Sequence, residues 1–370
     1  MLPAILSSFI LTFFKMLGTF ATPAVLGLPV RYYVLSTMIY ANVQNRMYGD
    51  AYVLSLVLIL MSVAIIYVNH KLIGKRRSFV TIRGKGLRVK LISLKKWRIP
   101  ALAFTLSIAT ISCFIPLAIL FLETLTIVPG DITKLTLHYW IGPVDPRFIG
   151  GEPGVLLNPN IYRAAWNSIS LSVLSAIAVG FIGLLMGYCI VRGRGTILAT
   201  LLDQLSFLPY LMPAIALSSI YLVMFAKPIG PIPALYGTFW LLLLVSVVKH
   251  LPFAARTGVA SMMQIGKEME EAAVVKGASW IRIFRKIIFP LTKSGFVNGF
   301  ILTFISVMRE LALILLLITP ATSTLTTVAY HYTEQEFTQL ADATTIIICV
   351  IILVGIYIIR RKVGSIRMAL

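Results

Sequence analysis

Charged residues are scarce in this chain, at 12% of 370, and acidic ones scarcer still, with 13 Asp and Glu against 33 Lys and Arg. A polypeptide that is 58% hydrophobic, with a mean hydropathy of +0.92, cannot cover a water-soluble core of ordinary composition. It requires lipid as its solvent. Cysteine is nearly absent: Cys113, Cys189 and Cys349 each fall inside an apolar run without ligand spacing, which argues against a disulfide framework or a metal site and leaves buried thiols. Histidine is equally sparse. His70, His138, His250 and His331 are scattered, so they read as surface or interfacial side chains, and neither a Ser/His/Asp set nor a metal-ligand cluster forms. A membrane enzyme therefore lacks its catalytic groups. No Gly-x-x-x-x-Gly-Lys-[Ser/Thr] phosphate loop occurs, because Gly74-Lys75, Gly84-Lys85 and Gly266-Lys267 lack both the earlier glycine and the following hydroxyl. ATP hydrolysis is expected on another polypeptide, and no cofactor on this one. No basic segment precedes the first apolar stretch, which is read as a spanning helix and not as a signal peptide.

What is present is a series of long apolar runs: Leu2–Leu28, Ala51–Val68, Ile99–Leu122, Ala164–Val191, Gln204–Ala226, Leu235–Val248 (extending through Lys249–Ala255 at the interface), Ser294–Thr319 and Ala343–Ile359. Most approach the roughly 20 residues a helix needs to cross the hydrocarbon. The expected fold class is an all-α polytopic membrane protein of about eight transmembrane helices. Threading the runs alternately puts His70–Arg98, Arg192–Gly195, Lys249–Lys293 and Arg360–Leu370 on one side, with 25 of the 33 Lys and Arg residues. By the positive-inside rule that side is cytoplasmic, as are both termini. The formal charge of +20 is thus an orientation signal; the basic residues form no stripe on a soluble domain, and no nucleic-acid partner is expected.

The chain also repeats itself. Phe9-Ile-Leu-Thr-Phe13 recurs as Phe300-Ile-Leu-Thr-Phe304, and Leu35-Ser-Thr-Met-Ile-Tyr40 matches Leu325-Thr-Thr-Val-Ala-Tyr330, the offset passing from 291 to 290. Apolar periodicity alone does not generate the second match, which lies in a loop. On this alignment residues 1–68 correspond to the last two helices of a unit that is complete, with six, over residues 99–362, and about 195 residues of the second unit have no counterpart in the first. The expected organisation is a truncated first half at 1–68, a basic cytoplasmic linker at 69–98, a complete half at 99–362 containing a long loop at 257–291, and a tail at 363–370.

Within that loop, Glu271-Ala272-Ala273 is followed after three residues by Gly277 and after nine more by Ile287-Ile288-Phe289-Pro290. Glu268 to Val275 favours helix, and the two alanines leave a low surface that a partner's groove can approach. Gly277 permits a turn where a side chain would obstruct it. Residues 278–289 alternate Trp280, Ile281, Phe284, Ile287 and Ile288 with Arg282, Arg285 and Lys286, a pattern for a helix lying on the bilayer surface, closed by Pro290. This spacing resembles the EAA loop of binding-protein-dependent ABC importer permeases, Phe289 standing where the pattern has Leu. The likeness extends to Leu251-Pro-Phe-Ala-Ala-Arg-Thr257 and Leu208-Pro-Tyr-Leu-Met-Pro213, and it covers essentially all of residues 99–362. Phe20-Ala-Thr-Pro-Ala-Val-Leu-Gly27, Phe79-Val-Thr-Ile-Arg-Gly-Lys-Gly86 and Trp97-Arg98 resemble the end of the first half and the connector of double-length permeases associated with iron(III) import.

The resemblance implies a type I importer permease subunit in the cell membrane. It also implies partners: an ABC ATPase dimer, an extracytoplasmic solute-binding protein, the lipid bilayer and a second permease half, which is either the missing first half or another copy. It implies ATPase coupling through Glu271, Ala272, Ala273, Gly277, Ile287 and Pro290. Related permeases move thiamine, phosphonate, sulfate or polyamines as well as iron. A secondary transporter or channel acting without an ATPase also accommodates eight helices and a repeat, but gives no reason for the loop. Ionisable residues inside spans are expensive and face bundle interiors, which singles out Lys15, Arg309 and Glu310, the last two as a gate or an ion pair in mid-helix. Asp203, at a helix entry, is expected to reach water or the nearby Arg192 and Arg194. Pro209 and Pro213 interrupt a span, and with Ser218 they join Arg309 and Glu310 as candidate lining of a translocation path.

Overall fold

The computed structural model describes residues 9, 12–13, 15–74, 95–146, 151–228, 230–231 and 233–367. Most of the basic linker and the extreme ends of the chain lie outside these. Helix α1 spans Ala21–Gly27 and turns through a 3-10 segment at Leu28–Val30; α2 is Leu35–Gln44 and α3 Tyr48–Gly74. After the linker come α4 (Arg98–Glu123), the short α5 (His138–Ile141), α6 (Pro159–Arg192), α7 (Ile197–Leu211) and α8 (Ala214–Phe225). The chain continues through α9 (Phe239–Met262), α10 (Glu268–Val275), α11 (Trp280–Met308), α12 (Leu325–Glu334) and α13 (Thr338–Arg367). Among the described residues six helices are long and apolar enough to cross a membrane, and two bent pairs, α1 with α2 and α7 with α8, raise the number to eight if each pair is one span.

Local chemistry sets the helix starts. The Asn158 side chain accepts the Asn160 N–H at 2.9 Å and Pro159 occupies the first turn of α6; Thr196 and Thr238 cap α7 and α9 in the same way. Two prolines sit just after π-helical turns, Pro116 after Thr110–Phe114 and Pro290 after Phe284–Ile288. Because proline cannot donate to the carbonyl four residues back, the wider turn absorbs the mismatch and the helix runs on. Pro290 therefore does not close an interfacial helix: residues 280–308 form one continuous span.

At the centre α6 packs on α9 so closely that a Cβ on Gly187 would fall 2.3 Å from the Gly258 carbonyl carbon, and one on Gly183 2.4 Å from Ala254 Cβ. Small residues replace side chains with backbone contact, the packing that helices favour in lipid. By contrast α4 buries nothing in its most apolar stretch, and Leu102, Phe104, Ile111 and Phe114 point outward as a lipid-facing side does. Cys113 and Cys189 are exposed on outer helix faces too, so the buried-thiol expectation fails for both.

The repeat has a geometric counterpart. In both copies a threonine hydroxyl accepts the backbone N–H three residues earlier, Thr37 from Val34 at 3.0 Å and Thr327 from Thr324 at 2.9 Å. Both helices then end on a left-handed residue, Arg46 at φ 61° and Glu336 at φ 64°. Met47 and Phe337 each donate to the carbonyl five residues back at 2.8 Å, and the chain turns into the next helix. Farther upstream, at the offset of 291, Thr19 N–H bonds Met16 O at 3.0 Å and Glu310 N–H bonds Val307 O at 3.1 Å. Two expected helices are thereby redrawn. The run from Leu2 to Leu28 breaks at Gly18 to Phe20, and that from Ser294 to Thr319 ends at Met308, so Arg309 and Glu310 stand at a helix end and not in its middle.

Candidate functional site

The long loop folds as a short lever. α9 runs to Met262, deeper than the apolar run suggested, and the chain turns through residues 263–267 into α10. One face of α10 is fastened down. Arg192, at the end of α6, donates through Nε to Glu270 Oε1 at 2.9 Å, makes a second contact through Nη2, and bonds Ile265 O at 3.2 Å; Tyr188 Oη donates to Glu270 Oε2 at 3.4 Å. Ala273, one turn along the same face, packs against the buried cluster that contains Ile283 and Ile288. The opposite face carries Glu268, Glu271, Ala272 and Val275, all exposed, Val275 at 87%. Helical periodicity thus separates an anchoring stripe from a free one.

Gly277 ends the lever with φ +75°, its N–H on Val274 O at 2.8 Å and the following Ala278 N–H on Ala273 O at 3.0 Å, a left-handed C-terminal cap. A Cβ there would meet nothing within 4 Å. The requirement is thus for backbone conformation and not, as expected from the sequence, for space. Trp280 lies 5.3 Å from Phe284, centroid to centroid, and edge-on to Tyr188 at 5.9 Å, tying the first turns of α11 to α6. Asp203 reaches neither Arg192 nor Arg194; it pairs with Arg256 Nη1 at 3.3 Å, both side chains being largely exposed.

A second feature lies where helices break inside the span. The chain leaves α7 at Met212 and restarts as α8 after a bend of 100°. Gly18 approaches this break, a Cβ on it lying 3.3 Å from Pro213 Cβ. Around these ends is a cavity of about 540 Å³ lined by Lys15, Gly18, Thr19, Phe20 and Ala21 from one repeat and by Ser306, Arg309, Glu310, Leu311 and Ala312 from the other. The two sets correspond residue by residue at the offset of 291, so the cavity sits on an approximate two-fold axis relating the repeats. Pro213, Ala214, Lys249 and His250 are among the residues that line it from α7–α8 and α9. Lys249 Nζ donates to Pro209 O at 3.2 Å and also to Met212 O, placing an ammonium at the carbonyl end of the broken helix. Glu310 accepts the Leu313 N–H at 3.1 Å, and no ion pair joins it to Arg309 among the described residues.

Beyond the cavity, Phe20, Tyr40 and Tyr330 pack with centroid separations of 5.4, 6.0 and 6.1 Å, all three at least 94% buried. Phe20 lines the first cavity, whereas Tyr40 and Tyr330 line a larger one of about 1160 Å³ on the other side. The rings divide the two. Tyr40 and Tyr330 are equivalent positions meeting across the axis, and Tyr40 Oη donates to Glu334 Oε1 at 3.0 Å.

Of the path residues named from the sequence, Pro213, Arg309 and Glu310 come together at the first cavity, and Pro209 contributes its carbonyl to Lys249. Ser218 does not: it is fully buried and lines neither cavity. Lys249 and His250 were missed as functional candidates. The sequence pattern puts Lys249 at the interface and His250 at a surface or interface, yet both lie midway along α9, His250 at 4% exposure with Nδ1 2.9 Å from Ser246 O. Their position halfway between Thr238 and Met262 was a signal in the sequence. Tyr40 and Tyr330 were visible as the invariant tyrosine of the repeat, but not as partners.

Broken helices around a mid-span cavity, together with a short lever held at one end of the bundle, define a polytopic transport protein of the permease class. Residues 179–364 match the family described as binding-protein-dependent transport system inner membrane component, and the chain belongs to that family. It is 25% identical to a ferric transport system permease protein, FbpB, of Actinobacillus pleuropneumoniae, over 99% of this chain and 51% of that protein. It is 26% identical to a putative ferric transport system permease protein of Haemophilus influenzae, over 86% of this chain and 48% of that one. The sulfate transport system permease protein CysT of Salmonella typhimurium is 27% identical over 54% of this chain and 70% of its own length. The chain thus spans about half the length of these two ferric permeases. In three dimensions it resembles a subunit of a bacterial alginate ABC transporter solved with an alginate-bound periplasmic protein, with a TM-score of 0.53 at 16% identity over 74% of this chain and 97% of that one. The likeness is one of fold.

Proposed function

We propose that this chain is the permease subunit of an ATP-driven importer, with iron(III) the leading candidate solute, and that the segment 257–291 couples closure of an ABC ATPase dimer to alternating access. The observation that carries the reading is the two-faced α10, pinned through Glu270 while Glu271, Ala272 and Val275 face outward with no partner among the described residues. A small, partly apolar face on a helix fastened to the end of α6 suits docking in a groove of another protein. A displacement of α10 passes through Arg192 and the Trp280 contacts into α6 and α11, and Ser306 of α11 lines the cavity at the helix breaks. The lever does no chemistry; nucleotide shifts the balance between packings open to one side and to the other. In this reading the loop end is cytoplasmic, as the basic residues near it suggest, and an extracytoplasmic binding protein delivers solute to the opposite end. A second permease half completes the assembly. The ferric permeases among the relatives support iron(III), and CysT makes sulfate the next candidate.

Uptake in cells carrying the complete transport system tests the coupling. Glu271→Lys reverses the charge of the free face, and Gly277→Val places a β-branched residue at φ +75°, where it is strained whatever the space. Both variants are expected to insert normally and to lose uptake. Full uptake by either, together with failure of an ATPase to co-purify, removes the reading and favours a transporter acting alone.

A further inference from the structure

We infer that the cavity at the helix breaks is a binding site for a small multivalent anion, either a free oxyanion or a metal ion carried as an anionic chelate. The inference rests on the permease reading and specifies the solute class that site would pass. Lys15, Lys249 and Arg309 line the cavity against one carboxylate, Glu310. Lys249 is partly buried within α9, where a cationic group is expensive unless something supplies the opposite charge, and Lys15 and Arg309 add two more cations to the same space. None of the three forms an ion pair among the described residues. The carbonyls of Pro209 and Met212 that hold Lys249 are dipoles, so they orient its ammonium without cancelling its charge.

Two further observations point to a ligand of the same sign. α8, of 12 residues, begins at Ala214 on the cavity wall with no side-chain cap on its first turn, so its free N–H groups and positive dipole end border the space. His250 is 96% buried on the same wall; Nδ1 faces Ser246 O, and Nε2 has no hydrogen-bond partner among the described residues. A bare trivalent cation entering here would meet three like charges against one carboxylate. An iron cargo therefore passes this point wrapped in acidic ligands whose net charge is negative. The site also lies on the axis relating the repeats, where equivalent helix ends of both line one space.

Equilibrium dialysis of the purified full chain in detergent tests this, using radiolabelled sulfate, iron(III) citrate with excess citrate, and hexamminecobalt(III) as a cationic control. Saturable binding of sulfate or of the citrate complex is expected, with none of the cobalt cation. Arg309→Gln is expected to weaken binding by at least about tenfold, Arg309→Lys to restore most of it, and Lys15→Gln to weaken it as well. Lys134→Gln, on a connecting segment remote from the cavity, should leave it unchanged. Arg309 and Lys15 are exposed side chains, so the variants should retain their fold; gel filtration and circular dichroism establish that they do. Binding of sulfate alone assigns a free oxyanion, and binding of the iron complex alone assigns an anionic chelate. The proposal is overturned if neither anion saturates, if folded Arg309→Gln binds like the parent, or if hexamminecobalt(III) binds. No ATPase is present in the assay, so its failure leaves the coupling proposal standing, and the reverse.

Discussion

Residues 34–51 and 324–341 follow one path, with the same threonine bond at the start, the same left-handed residue at the end and the same return into the next helix. Their surroundings differ. α12 is enclosed: Ser168 of α6 accepts the Leu325 N–H at 2.8 Å, Asn167 bonds Ala321 O and Ser323 O, and Asn158 reaches Tyr332 Oη at 3.1 Å. α2 lies beside α8 instead, Ile39 and Tyr40 sharing a buried cluster with Ile215 and Ala216, and Met38 is 44% exposed where its equivalent Val328 is half-buried. Local sequence is enough to form the turn; how deeply it is buried depends on neighbours contributed from elsewhere in the chain. The contrast isolates conformation from packing, because nearly the same backbone is present twice in one molecule.

The sharpest test of the axis is Tyr330→Ala or Tyr40→Ala. Each removes a ring at least 94% buried from the shared cluster, and each is expected to lower stability by about 3 kcal/mol in detergent thermal melts. A large effect at only one of them would break the equivalence. Next in size, Leu325→Ala is expected to cost about 3 kcal/mol and Leu35→Ala roughly half of that, because Leu325 is fully buried and Leu35 is not. Equal losses in paired melts would show that α2 is covered as α12 is. Smaller and asymmetric effects follow from the hydroxyls. Tyr40→Phe loses a hydrogen bond to Glu334 and about 1 kcal/mol, whereas the Tyr330 hydroxyl makes no well-formed hydrogen bond among the described residues, so Tyr330→Phe should be neutral or slightly stabilising. Finally, Arg46→Gly and Glu336→Gly relieve left-handed strain at matching positions, and both should raise stability by under about 1 kcal/mol, equally in the two copies.

Much of this was legible in the residues. The Leu-[Ser/Thr]-Thr-x-x-Tyr match falls not in a loop, as expected, but on the first turns of α2 and α12, where the threonine bonds back to the residue before the helix, so equal letters make equal helix starts. The spacing from Glu271 to Gly277 likewise encodes a helix and its left-handed cap. Less legible were the helix ends at Gly18 and Met308. Apolar letters run straight through both, and hydropathy does not distinguish a helix from irregular backbone that is buried in protein. Leu313, Ile314 and Leu317 illustrate the point: each is almost fully buried, in a segment of turns. Glu270, not Glu271, carries the anchoring bond, because which of two adjacent carboxylates faces α6 depends on how α10 is rotated against it.

By itself the sequence determined that this protein lives in lipid, that its charge is sorted along the chain, that part of it occurs twice, and that a Glu-Ala-Ala helix ends at a glycine. These depend on composition, on period and on backbone preference, which are properties of short stretches. Only the tertiary structure decided that Tyr40 meets Tyr330, that Lys15 and Arg309 share a cavity with Lys249, and that Glu271 faces outward. Those contacts join residues up to about 290 positions apart. They exist because close packing of α6 on α9 and the approximate two-fold axis bring helix ends together that no local preference connects.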